Sequence, residues 1–230
     1  MPPRPTVALA LLVAAAAAAA PASGQPAEPD TLPPQTEAVD VRVFRAVYGA
    51  TAPVVAAPLR AVNDAAYPAF LGAVPALAVG AWAAGADLRP ATRLALAEGG
   101  AVALTFALKR VVRRPRPYVA LDGVAARDRQ FLVDDVFDPH SFPSGHASTA
   151  FAIAASLSLS YPEGYVVAPA LAWAGLAAVA RVWHGVHYPS DVLVGAGVGA
   201  GSAVLVHVLL PSADGGGGGA VVPFRVVVPL

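Results

Sequence analysis

The sequence predicts an all-α fold, a multi-span helical bundle of five to six helices with its polar residues gathered at one end. Three observations carry this expectation. Long stretches run without a charged residue, and they are rich in Ala, Leu and Val. Alanine dominates them, and they are far longer than the five or six residues of an ordinary strand, so the strand alternative is poor. Hydrophobic residues make up 57% of the 230 and charged residues only 13%, with a mean hydropathy of +0.60. That balance suits a chain solvated by lipid better than one dissolved in water.

Taken in order, the chain opens with a leader. Arg4 precedes an apolar run from Val7 to Ala20, and Ala20-Pro21-Ala22 offers small residues for cleavage, so residues 1–24 read as a signal peptide or an uncleaved anchor. Residues 25–42, rich in Pro, Glu and Thr, read as a flexible linker. The helical domain is expected over 43–211. From Val41 to Asn63 the alternation of valines with Arg42, Arg45 and Arg60 suits amphipathic helices broken by Pro53 and Pro58. The stretch from Ala66 to Ala86 is uncharged and, at 1.5 Å per residue, reaches roughly the 30 Å of a bilayer core. After a polar turn at Asp87 to Arg93, the apolar run resumes from Leu94 to Leu108 with only Glu98 to interrupt it, and a cationic, then mixed polar loop is expected from Lys109 to Arg129.

Three further apolar segments follow. Ala147 to Tyr161 carries Ser156, Ser158 and Ser160, small hydroxyls that suit a helix packed among helices. Pro162-Glu163-Gly164 makes a turn, and Tyr165 to Val182 is uncharged before Arg181. Val192 to Leu210 interleaves Gly195, Gly197, Gly199 and Gly201. In water each would weaken a helix by about 1 kcal/mol, whereas in a membrane small residues let helix backbones approach. Five spans plus the leader are thus expected, then a Gly-rich linker and tail over 212–230.

The chain has no cysteine, which excludes disulfides, thiol chemistry and thiolate metal sites. Lys plus Arg equals Asp plus Glu at 15 each, so net charge says nothing about partners. The distribution says more, because Lys109, Arg110, Arg113, Arg114 and Arg116 crowd one span boundary, where a partner with negative charge is drawn. A second boundary reads His-Ser-Phe-Pro-Ser-Gly-His-Ala-Ser from His140 to Ser148. There Pro143 presets a helical φ, Ser144 can cap free amides and Gly145 lets the backbone approach a ligand. Such a helix start attracts phosphate, and His146 in the first turn can supply it with a proton.

Lys109 and Arg116-Pro117 stand in a K-x6-R-P relation, and Arg181, His187 and Asp191 in an R-x5-H-x3-D relation. With Pro-Ser-Gly-His between them, these clusters resemble, in order and spacing, the three-part signature of the type 2 phosphatidic acid phosphatase superfamily, from about residue 66 to 210. One departure is Ala180, where the family often has serine. The resemblance implies a helical bundle with the site at one end, phosphatase activity on a phosphorylated lipid substrate in a membrane, and no metal or other cofactor. It also implies roles: Lys109, Arg116 and Arg181 as the clamp on the phosphoryl oxygens, aided by Ser144 and the Gly145 amide; His187 as nucleophile; Asp191 as the group that fixes its tautomer; and His146 as acid and then base. Pro189 argues against an unbroken helix across His187 and Asp191, so Asp191 is expected in the first turn of a new helix with His187 just before it.

Duller readings apply to the other polar residues. Arg110, Arg113 and Arg114 read as headgroup or solvent contacts, Tyr118, Trp183 and Tyr188 as an interfacial aromatic belt, and His140, His184 and His207 as structural neighbours. Three other functions fit parts of the pattern: a soluble periplasmic acid phosphatase, a vanadate-dependent haloperoxidase of the same superfamily, and a non-catalytic membrane scaffold. Alternation of the spans puts Lys109 to His146 and Arg181 to Asp191 together on the periplasmic or exterior side of the cell membrane. This sets the densest cations against the positive-inside rule, and an anionic substrate arriving there supplies a reason.

Overall fold

The structure is a computed structural model that describes residues 34–127 and 139–211. The leader, the start of the linker, most of the loop between Arg127 and Phe137, and the Gly-rich tail lie outside the described residues. All regular structure among those described is helical: α1 (Pro34–Tyr48), α2 (Pro53–Ala83), α3 (Arg89–Val112), a single turn α4 (Pro117–Ala120), α5 (Gly145–Ser160), α6 (Gly164–Trp183) and α7 (Pro189–Leu209). The expected bundle is present, with six helices longer than one turn.

The elements differ from the sequence reading in four places. Helix α1 begins at Pro34, inside the stretch read as linker, and its Phe44 is fully buried against the rings of Tyr48 and Tyr188. Pro58 does not break the chain. Pro53 starts α2, where a missing N–H costs nothing, and the helix then runs through Pro58, Pro68 and Pro75 to Ala83. Each interior proline forfeits one backbone hydrogen bond, a loss that membrane helices tolerate because neighbouring groups re-satisfy the backbone. Lys109 is not the start of a loop but a buried residue in the last turn of α3. Finally, among the described residues four helices rather than five are long and apolar enough to cross a membrane: α2, α3 continued to Ala120, α6 and α7.

The remaining helix, α5, has 16 residues, roughly 24 Å at 1.5 Å per residue. It is the inner element, packed against α7, α6 and α3, while α2 lies across α6 and α3. Close approach explains the composition. A Cβ at Gly199 would run into the Ser148 carbonyl, and one at Gly195 into that of Ser144, so α7 can lie against α5 only with glycine there. The α5–α6 contact is likewise built on Ala150, Ala154, Ala174 and Ala177. Large apolar residues such as Leu71, Val79, Trp82, Leu193 and Leu209 point outward instead. Small residues inside and large ones outside is the arrangement of a bundle whose surroundings are as apolar as its core.

Candidate active site

The three sequence clusters meet at one end of the bundle, at the C-terminal ends of α3 and α6 and the N-terminal ends of α5 and α7. Ser144 caps α5, its hydroxyl accepting from the Ala147 amide at 3.4 Å, and its own amide donates to the Asp191 carbonyl at 3.0 Å. The N-termini of α5 and α7 are thereby joined. A Cβ at Gly145 would meet only Thr105 Cγ2 at 3.9 Å, an ordinary contact. Packing therefore does not demand glycine at this position, in contrast to Gly195 and Gly199.

His187 occupies the short connection between α6 and α7. The chain reaches it through Gly185, whose φ of +81° is the left-handed conformation that ends many helices. A side chain at Gly185 would strike the Ala125 carbonyl at 2.9 Å and the Tyr48 ring at 3.0 Å. Pro189 then opens α7 and places Asp191 in its first turn, as the sequence reading expected. Asp191 is fully buried. Its Oδ2 accepts from the Tyr188 amide at 2.8 Å and lies 3.6 Å from His187 Nδ1. On the other edge of the ring, His187 Nε2 lies 3.4 Å from Arg116 Nη1. A guanidinium only donates, so Nε2 carries the lone pair and the proton sits on Nδ1, facing the carboxylate.

The cations converge on this ring. Arg116 also donates to the Val186 carbonyl at 3.3 Å, Lys109 Nζ donates to the His140 carbonyl at 2.7 Å, and Arg181 Nη1 donates to Asn63 Oδ1 at 2.6 Å. Burial first, and then the charges of Arg116, Lys109 and Arg181, hold His187 well below the ordinary histidine range. His146, in the first turn of α5, is held low in the same way, by burial and then by Arg181, His187 and Arg116. Its ring meets the edges of Tyr67 and Phe70 from α2, with centroids 4.9 and 5.4 Å away. Each candidate named from the sequence thus belongs to one polar cluster. Three cations gathered beside a helix N-terminus raise the local positive potential, and an anion relieves it.

Several contributors escaped the sequence reading. Arg114 is not a headgroup or solvent contact; it donates to Asp191 Oδ1 at 2.9 Å and to Asp40 Oδ2 at 2.7 Å. Trp183 and Tyr188 are not an interfacial belt, since both are buried. Trp183 donates to the Ala50 carbonyl at 2.8 Å, and Tyr188 lies under the Arg114 guanidinium. Arg127 stacks on Tyr48 and Trp183 and donates to the carbonyls of both, tying α1 to the end of α6. Ala180 packs with Ala56, Leu59 and Trp183 in an apolar cluster between α2 and α6. Asn63 and Gly185 carried no motif. Only the chemistry of a buried arginine, which needs an acceptor, points to the first.

A sequence model of the PAP2 superfamily matches residues 90–213, more than half of the chain, and the chain belongs to that superfamily. Among its relatives, lipid A 1-phosphatase of Rhizobium johnstonii is 37% identical over 103 residues, 44% of this chain and 40% of that protein. Decaprenylphosphoryl-5-phosphoribose phosphatase of Mycobacterium tuberculosis is 35% identical over 108 residues, 45% of this chain and 52% of that protein. The chain thus spans about half or less of the length of the curated relatives it matches. The crystal structure of the first transmembrane PAP2 type phosphatidylglycerolphosphate phosphatase from Bacillus subtilis shares the fold, with a TM-score of 0.65 over 88% of this chain and 94% of that one, at 23% identity. With four of the described helices long and apolar enough to span, the protein is a multi-pass membrane protein.

Proposed function

We propose that this protein is a membrane phosphatase that hydrolyses a lipid-linked phosphomonoester or diphosphate through a phosphohistidine intermediate, without metal. The observation that carries the reading is the setting of His187, with Nε2 toward Arg116 and Nδ1 toward Asp191. In this reading the Nε2 lone pair attacks phosphorus and forms the P–N bond as the bond to the leaving oxygen breaks. Lys109, Arg116 and Arg181, with Ser144 and the Gly145 amide, take the charge spread over the three equatorial oxygens. Asp191 stabilises the positive charge that develops on the ring.

His146 gives its proton to the leaving oxygen. The incoming phosphoryl group's negative charge favours the imidazolium and so opposes the neighbouring cations. Water then attacks phosphorus, passes a proton back to His146 and breaks the P–N bond, which restores both rings and releases phosphate. The leaving group departs along α2, past Tyr67 and Phe70. The catalytic unit runs from α1 to α7, the leader is a signal peptide or uncleaved anchor, and the site faces the periplasm or exterior of the cell membrane. The relatives named for phosphatases of lipid A and of decaprenylphosphoryl-5-phosphoribose support a phosphorylated lipid as substrate.

The test is turnover by purified protein, with and without a chelator, of undecaprenyl diphosphate, phosphatidylglycerol phosphate, phosphatidic acid and phosphorylated lipid A. At least one is hydrolysed with chelator present. His187→Ala lowers kcat by about 10⁴-fold or more, the scale on which losing a nucleophile acts. Retained turnover in that variant would sink the mechanism.

A further inference from the structure

The K-x6-R-P relation begins at Lys109 and ends at Arg116, and Arg114 lies inside it without being one of its defining residues. Even so, Arg114 makes the closest charged contact to Asp191. We propose that Arg114 and Asp40 are positioning residues for the His187–Asp191 pair: Arg114 fixes one carboxylate oxygen of Asp191 so that the other faces His187, and Asp40 of α1 fixes Arg114. This inference rests on the reading of His187 as nucleophile and Asp191 as its orienting group.

The geometry divides the carboxylate's work between its two oxygens. Oδ1 of Asp191 accepts from Arg114 Nη1 at 2.9 Å. Oδ2 accepts from the Tyr188 amide at 2.8 Å and stands 3.6 Å from His187 Nδ1. With one oxygen held by a cation and the other by the backbone, the carboxylate cannot rotate without losing a contact.

The guanidinium is held as well. Its Nη1 also donates to Ser190 Oγ at 2.7 Å, its Nη2 donates to Asp40 Oδ2 at 2.7 Å, and the Tyr188 ring lies 3.8 Å from its centre. Asp40 closes the network from α1 by accepting from the Ser190 amide at 3.0 Å and the Ser190 hydroxyl at 2.6 Å. Arg116 is built differently, with Nη1 directed at His187 itself. The two arginines therefore do separate work: Arg116 faces the reacting ring, and Arg114 acts through Asp191. A buried carboxylate with no exposure is costly unless paired, and removing the Arg114 guanidinium takes away its cationic contact and releases one of its two oxygens. Asp40 lies outside residues 90–213, so the network extends the working site beyond the segment that carries the superfamily match.

The alternative is that Arg114 merely pins the chain after α3 to α7. A double-mutant comparison separates the two, using the full-length protein in detergent and the lipid of the panel above that the wild type turns over fastest. Arg114→Gln is expected to lower kcat by about 10- to 100-fold, the range typical of residues that orient a ligand or base, with KM changed less than about 3-fold. In an Asp191→Asn background the same change should cost less than about 3-fold more, because its target is already gone. Asp40→Asn should lower kcat by about 3- to 10-fold and lose that effect once Arg114 is Gln.

Additive losses in the Asp191→Asn background would overturn the proposal, as would a raised KM with unchanged kcat, which would make Arg114 a phosphate contact. Should Arg114→Gln fail to fold, Arg114→Lys keeps the charge but loses the fork, and the same comparison runs with it. An inactive His187→Ala beside additive Arg114 losses overturns only the positioning role. An active His187→Ala overturns the nucleophile assignment itself.

Discussion

The two ends of the bundle both bury an arginine among helix termini, yet they do so in opposite electrostatic senses. At the end away from the candidate site, Arg93 of α3 donates through Nε and Nη2 to the Leu210 carbonyl at 2.9 and 2.6 Å, and its Nη1 lies 3.4 Å from His207 Nε2. A cation at the C-terminus of α7 meets the negative end of the helix dipole and the carbonyls the helix leaves open, so the arrangement is complete in itself. At the other end, Lys109, Arg116 and Arg181 crowd the ring of His187, and the charges of Arg181 and Arg116 also act on His146 at the N-terminus of α5. Positive charge beside the positive dipole end of α5 favours an anion there. Burial of an arginine is thus not by itself a sign of function; what separates the two ends is that Arg93 faces the carbonyl end of a helix, whereas Arg116 and Arg181 act on two histidine rings beside a helix N-terminus.

Three changes sharpen or break this contrast. The largest effect is expected from Arg181→Ala, which removes a cation of the proposed clamp. It should lower kcat/KM by about 10²- to 10³-fold, the scale of losing one preorganised donor to transition-state charge. Loss of only a fewfold would mean that Arg181 serves the fold through Asn63 rather than the phosphate.

A smaller effect concerns pH. In the proposed mechanism the attacking ring must be neutral, and burial with three neighbouring cations holds His187 well below 6.5. As the solution is acidified, the nucleophile is therefore expected to survive to pH values well under that of an ordinary histidine, and the acidic limb of kcat/KM should lie there. Lys109→Met removes one of those charges and should move the limb upward, toward 6.5. A limb that stays in place would show that Lys109 does not act on the ring. The smallest catalytic effect belongs to Arg93→Ala at the opposite end. It should lower stability by about 1–3 kcal/mol through the uncapped carbonyl while leaving kcat/KM within about 3-fold. Thermal denaturation in detergent measured beside turnover checks both halves.

Much of the fold was legible because its signals are local and chemical. Uncharged alanine-rich runs can hardly be anything but helices in or near lipid, and Pro189 after His187 fixes where α7 begins. The motif residues were legible for a related reason: the roles proposed for them, binding phosphate and attacking it, admit few kinds of side chain. Pro58 misled because proline's effect on a helix depends on what else satisfies the freed carbonyl, and α2 runs through it. The stretch read as linker misled because Asp40 and Phe44 matter only through partners far along the chain, Arg114 and Ser190 for the first and Tyr188 for the second.

By itself, then, the sequence determined the helical class and pointed to a polar end with eight candidate residues, since hydropathy and reactive groups are properties of residues one at a time or at short spacing. Only the tertiary structure decided which arginine serves which task. Arg93, Arg114, Arg116 and Arg181 share one side chain and differ only in what the fold sets opposite each: a helix carbonyl, a pair of carboxylates, an imidazole, an amide. A guanidinium takes its role from its acceptors, and here those acceptors come from other helices, at sequence separations that no local pattern records.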